Sequence, residues 1–198
     1  MAPTGEKLIL ASASAARAAL LAAAELAVAI EPAEIDETAV KLACGNPVEC
    51  AARLAEMKAL RVAERHPRAL VIGADQILVC GEAWFDKPSD IAAAYDQLRA
   101  LRGRMHELVT AVCVVQGAER IWHAVSRPRL TMREFSDAFL ERYLAAEGAS
   151  VLGSVGAYRL EGLGVQLFSE IEGDHFAILG LPLLALLHFL RDRGALSS

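Results

Sequence analysis

Apolar and polar positions in this chain fall into blocks that predict short strands followed by helices. Lys7 to Ala11 (KLILA) is an apolar run closing in small residues, and it predicts a strand. Ser12, Ala13 and Ser14 supply turn and cap hydroxyls before an Ala- and Leu-rich helix over 15–26. Residues 31–38 (EPAEIDET) read as an acidic loop. A helix over 47–65 starts near Pro47 and carries Leu54, Met57, Lys58 and Leu60. Leu70 to Asp75 has the composition of a buried strand ending in an acid, and 76–80 either continue it or turn away. After a loop at 85–88, a helix is expected over 89–101, with Ser89 as its cap and Asp90 in its first turn. Residues 106–115 and 120–133 favour strands. A helix over 136–146 capped by Ser136, a stretch with glycines at 153, 156, 162 and 164, a short apolar piece at 176–179 and a helix over 182–193 complete the chain. Strands alternating with helices make the class α/β.

Two apolar segments bear on the membrane question. Residues 19–30 are interrupted by Glu25 and follow Arg17, and the run FAILGLPLLALLHFL is broken by Gly180 and Pro182. A bilayer span needs about 20 residues, so both read as buried helices of a cytoplasmic protein with no membrane partner. The final helix suits either the core or the surface of a homodimer. At 198 residues, with no repeat or low-complexity linker, one domain over 1–198 is expected. The 55% apolar content supports a sizeable core. Twenty basic residues against 25 acidic ones give a net charge of −5. That charge argues against a protein that coats a nucleic acid polymer, yet leaves room for a small basic pocket taking one phosphorylated molecule. Cys44, Cys50, Cys80 and Cys113 form no CxxC pair and no His cluster joins them, so free thiols are expected rather than structural zinc.

Four groups of residues can carry chemistry. Ser12, Ser14 and Arg17 lie between a strand and a helix, where hydroxyls, backbone N–H groups and a helix N-terminus suit an anion. Arg17 adds a fork matched to phosphate oxygens. A plain helix cap beside a surface arginine has the same spacing. Asp75 at a strand end can hold a divalent cation or take a proton from water, or simply begin a turn. The adjacent acids Asp36 and Glu37 suit magnesium or manganese, and equally a solvated loop. Lys58, Lys87 and Arg159 can converge on a polyphosphate, although each alone suits a surface cation. The five histidines lie at no metal-ligand spacing.

Read together and in order, these pieces resemble the Maf family of nucleoside triphosphate pyrophosphatases. The resemblance is carried by Leu8 to Arg17 (LILASASAAR), Ile72 to Gln76 (IGADQ), Asp86 to Pro88 (DKP), and Tyr158 to Gly164 (YRLEGLG) followed by Gly180 to Pro182 (GLP). Asp36-Glu37 and Leu54 to Ala59 (LAEMKA) add to it, and the match runs from about residue 7 to 192. It implies a mixed sheet of the Maf/inosine-triphosphatase type, in two lobes flanked by helices around a central cleft. It implies hydrolysis of a nucleoside triphosphate to the monophosphate and pyrophosphate with a divalent cation, Mg2+ or Mn2+. By the same resemblance Asp75 is the proton acceptor; as oxygen donors, Asp75, Asp36 and Glu37 are the residues expected to hold the metal. Ser12, Ser14, Arg17, Lys58 and Lys87 bind phosphate. The substrate-selecting positions are Ala16, Gln76 and Glu161. Gln76 and Glu161 match members acting on 7-methyl-GTP, whereas Ala16 stands where those members carry Trp. Asp86 stands where the family usually has Gly. These two departures motivate the alternative of a weakly active nucleotide-binding regulator linked to cell division.

Overall fold

Eight strands and seven α-helices alternate through the computed structural model, which describes residues 6–196. In chain order they are β1 (Leu8–Leu10), α1 (Ala15–Ala23), β2 (Val28–Ile30), α2 (Glu37–Ala43), α3 (Pro47–Ala63), β3 (Leu70–Cys80), β4 (Ala83–Phe85) and α4 (Ile91–Leu101). Then come β5 (Met105–Gln116), β6 (Glu119–Ser126), β7 (Arg129–Met132), α5 (Asp137–Glu147), three 3₁₀ turns between Gly148 and Leu167, β8 (Phe168–Glu172), α6 (His175–Ile178) and α7 (Leu183–Asp192). Strand pairing is both parallel and antiparallel, so the sheet is mixed. The chain divides into two compact units, one holding 6–76, Thr110–Ser126 and 174–196, the other Ile77–Val109 and Arg127–Gly173.

In the first unit β1 runs parallel to both β2 and β3, with Leu8 opposite Val28 on one side and Leu70 on the other. Parallel strands covered on both faces read as unbroken apolar runs, and here Ile9, Leu10, Leu70, Val71 and Ile72 are fully buried. Leu10, Ile72, Ala74, Val112 and Val114 pack with Leu21 of α1 and with Leu181, Leu186 and Leu190. Against β3 lies α3, started by Asn46, whose side-chain oxygen accepts from the N–H groups of Val48 and Glu49, and by Pro47 in its first turn. Gly73 is the point of closest approach: a Cβ there would stand 2.0 Å from the Ala55 carbonyl oxygen and 2.8 Å from the Ala59 methyl.

In the second unit β4 folds back antiparallel on Leu78–Cys80. The start of β5 pairs with β7, and β7 with β8, so His106, Leu130 and Ile171 share one register line. His106 is fully buried. Its Nε2 lies 2.9 Å from the Tyr158 hydroxyl, and its ring packs against those of Tyr158 and Phe168. Burial pulls the imidazole down to about 4 from its ordinary 6.5. A base that protonates less readily in the fold than out of it leaves stability full above pH 6.5 and drains it as pH falls towards 4. That difference is worth about 3 kcal/mol. His106→Phe is therefore expected to flatten the fall in urea midpoint between about pH 7 and pH 4.5 relative to the parent. An unchanged slope would assign the acid sensitivity to other groups.

Several elements differ from the sequence expectations. The apolar stretch 19–30, read as helix, leaves the helix after Ala23 and becomes β2. The acidic loop ends in a helix, because Asp36 caps α2 with its Oδ1 accepting from the Ala39 N–H. Asp90, not Ser89, caps α4, since its carboxylate accepts from the Ala93 N–H at 2.8 Å. The region 120–133 is two strands, β6 and β7, broken at Pro128, which has no N–H for a ladder. β8 lies in a stretch for which no strand was expected. All four cysteines are free. No helix among the described residues is long and apolar enough to cross a membrane.

Candidate active site

The site grows from the step between β1 and α1. Ser14 caps α1, its hydroxyl accepting from the Arg17 N–H. This cap starts the helix so that Arg17, in the first turn, points inward and is only 8% exposed. Its Nε donates to the Gly180 carbonyl at 2.8 Å, and its Nη1 donates to the Ser12 hydroxyl at 3.0 Å and the Ala74 carbonyl at 2.9 Å. Ser12 Oγ also accepts from the Ser14 N–H. Burial pulls the guanidinium pKa down, and the charges of Asp75 and Glu37 push it back. Gly180 has φ +102°, and a Cβ on it would come within 3.3 Å of Arg17 Nε, so the glycine admits both the turn and the arginine.

Asp75 does not end its strand: it lies in the middle of β3, which continues to Cys80. Alternation along the strand puts it on the same side as Gly73, facing α3. From α3, Lys58 reaches Asp75 Oδ1 at 2.6 Å and Glu37 Oε1 at 2.8 Å, so one ammonium bridges two carboxylates. Glu37 is the first residue of α2, and Asp36 beside it is exposed and serves as that helix's cap. Asp75 is 4% exposed, and its Oδ2 has no hydrogen-bond partner. Burial pushes the Asp75 pKa up, opposed by the charges of Lys58 and Arg17. A buried acceptor without a donor is costly, and Oδ2 keeps its lone pairs for a cation or a proton. The fit to a hard divalent cation is good, because magnesium takes one or two carboxylates together with substrate oxygens and waters. Among the described residues no cluster of three or more potential ligands forms.

Gln76 points to the opposite face of β3. Its Nε2 donates to Thr110 Oγ1 at 2.8 Å, to the Ala177 carbonyl at 2.9 Å and to the Ile178 carbonyl at 3.2 Å. Ala16 is half-buried in the first turn of α1. The first unit thus gathers Ser12, Ser14, Arg17, Glu37, Lys58 and Asp75 around the adjoining β1, β3 and α3.

Lys87 and Glu161 belong to the second unit. Lys87 is exposed next to the buried Pro88, and the preceding carbonyl, of Asp86, accepts from Gln97 Nε2 at 2.9 Å. Glu161 is exposed and lies 3.4 Å from Arg159 Nε. Arg159 also pairs with Glu147, whose other oxygen accepts from the Leu163 N–H. Glu147 thereby pins both ends of the loop that carries Glu161. Gly164 is essential to that loop's tightness, since a Cβ there would lie 2.3 Å from the Arg159 carbonyl oxygen. Sequence reasoning missed Thr110, Glu147 and the Gly180 carbonyl. Thr110 had a signal, as the one hydroxyl in the apolar run 108–115 (LVTAVCVV). The other two depend on long-range folding and had none.

A "Nucleoside triphosphate pyrophosphatase" of Granulibacter bethesdensis is 52% identical, the alignment covering 96% of this chain and 99% of that protein. One of the same name from Paramagnetospirillum magneticum is 53% identical over 95% of this chain and 99% of its own length. A "7-methyl-GTP pyrophosphatase" of Rhizobium meliloti is 48% identical over 96% and 98%. Residues 7–193 match the family described as Maf-like protein, from the first residues of β1 to the end of α7. With a family match over residues 7–193 and near-complete coverage on both sides, this chain belongs to the Maf-like family.

Proposed function

We propose that this chain hydrolyses the α–β phosphoanhydride of a nucleoside triphosphate, giving the monophosphate and pyrophosphate, and that its substrate carries a modified base such as 7-methylguanine. The observation that carries the reading is the Asp75 carboxylate, buried, held at Oδ1 by Lys58 and unpartnered at Oδ2. The names of the relatives support the reaction, and that of the Rhizobium meliloti protein the finer substrate.

In this reading Lys58 fixes the carboxylate, so that Oδ2 accepts the proton of the attacking water. The water oxygen bonds to the α-phosphorus, the bond from that phosphorus to the α–β bridging oxygen breaks, and the pyrophosphate leaves with that electron pair. Arg17 and Lys58 supply positive charge for the triphosphate, and most of the rate comes from positioning and charge stabilisation. Ser12 and Ser14 shape the turn over the start of α1. A divalent cation held by Asp75 and Glu37 would neutralise phosphate charge, while Asp36 fixes the helix that presents Glu37. Ala16 and Gln76 select the base.

The test is phosphorus NMR of the purified chain with GTP, 7-methyl-GTP, UTP and CTP, each with Mg2+, with Mn2+ and with a chelator. Monophosphate and pyrophosphate that vanish with the chelator are expected. Orthophosphate and the nucleoside diphosphate as products would overturn the reaction, and equal rates on all four nucleotides would overturn the base assignment.

A further inference from the structure

The hydrogen bonds around Gln76 have a consequence for what that residue can recognise. Its Nε2 has two protons and three protein acceptors within 3.2 Å, the Thr110 hydroxyl and the carbonyls of Ala177 and Ile178. Turning the amide over would set Oε1 against two carbonyl oxygens, with only the Thr110 hydroxyl able to donate. Those carbonyls belong to the last turn of α6, which has no intrahelical donors for them beyond the Gly180 N–H. Thr110 is fully buried, and its own proton goes to the Ala177 carbonyl at 3.0 Å, which leaves its lone pairs for Gln76.

We propose that Thr110 is a positioning residue of the base-selecting site. With the closing carbonyls of α6 it holds the Gln76 amide nitrogen inward, so that Gln76 presents only a carbonyl oxygen and selects a base with a ring N–H donor. The proposal rests on the reading that Gln76 faces the base. A selecting residue that is free to flip reads donor and acceptor alike, so its discrimination depends on whatever locks it.

The experiment compares Thr110→Val and Thr110→Ser with the parent on GTP, UTP, ATP and CTP. The first two carry a ring N–H donor, and the last two carry a ring nitrogen acceptor in its place. Losing one neutral hydrogen bond corresponds to about a fivefold change. Thr110→Val is therefore expected to raise KM for the preferred nucleotide and shrink the ratio of kcat/KM between donor and acceptor bases by about fivefold. Inhibition by inorganic tripolyphosphate, which has no base, is expected to stay within about twofold. Thr110→Ser keeps the hydroxyl and is expected to restore the ratio. A loss spread evenly over all four nucleotides, a Ser variant as impaired as Val, or an unchanged ratio would each overturn the positioning role. Gln76→Ala run in parallel separates the two levels. An unchanged base preference in that variant overturns the base-selecting reading of Gln76 and this proposal with it. A changed preference there beside an unaffected Thr110→Val overturns the positioning role alone.

Discussion

Asp75→Asn is expected to lose about a thousandfold in kcat, in the range that positioned proton transfer contributes, while melting close to the parent temperature. The amide has the shape of the carboxylate and its oxygen can still accept from Lys58, so the strand and helix contacts survive. It cannot take up a proton from water, and it removes one of the two negative charges on Lys58. The lysine keeps Glu37 at 2.8 Å and is not left as an unpaired buried charge. Burial already disfavours the ionised form of Asp75, which offsets the loss of its ion pair. The measurement is steady-state pyrophosphate release together with calorimetry. A fall in kcat with KM little changed fits a group that acts in the transition state. A loss of less than tenfold would move the proton acceptor to another residue.

Gly73→Ala is expected to cost about 3 kcal/mol, the upper part of the range for overpacking a filled core. The new methyl would meet the Ala55 carbonyl oxygen at 2.0 Å. That atom is backbone in the middle of a 17-residue helix and has no rotamer by which to withdraw. Relief requires α3 to shift from β3, and Lys58 adjoins Ala59, the second residue that the methyl strikes. Activity should therefore fall together with stability, the first read by pyrophosphate release and the second by the urea midpoint. A destabilised variant with full kcat would show that Lys58 need not hold its place.

The strand–turn–helix at the start was legible because its signals are local: a run of buried aliphatics, then hydroxyls able to cap. The helix expected over 47–65 was legible for the same reason, with Pro47 at its head, and it runs to Ala63. Asp75 stood out as an acid after an apolar run, but whether 76–80 continue its strand or turn away stayed open, and the strand continues to Cys80. The lysine that pairs with this mid-strand acid, Lys58, is 17 positions away. Asp36 and Glu37 were singled out as a pair, and folding gives them different tasks, one capping a helix and the other meeting Lys58. Short β2 and the exposed, acidic β8 gave too little periodicity to separate from their surroundings. The hydrogen bonds of Gln76 and Arg17 to the backbone of 177–180 span 101 to 163 positions, and local pattern carries no trace of them.

The shared ammonium between α3 and β3 also limits how this sequence can drift. A neutral residue at 58 would set two acids face to face with no cation between them, and a neutral residue at 37 would leave the lysine with a single counter-charge. Each replacement is harsher in the parent than in a chain where a neighbouring position has already changed. Viable descendants are thus expected to alter 37, 58 and 75 in concert, and the order of those steps, rather than the merit of any one, decides which routes stay open.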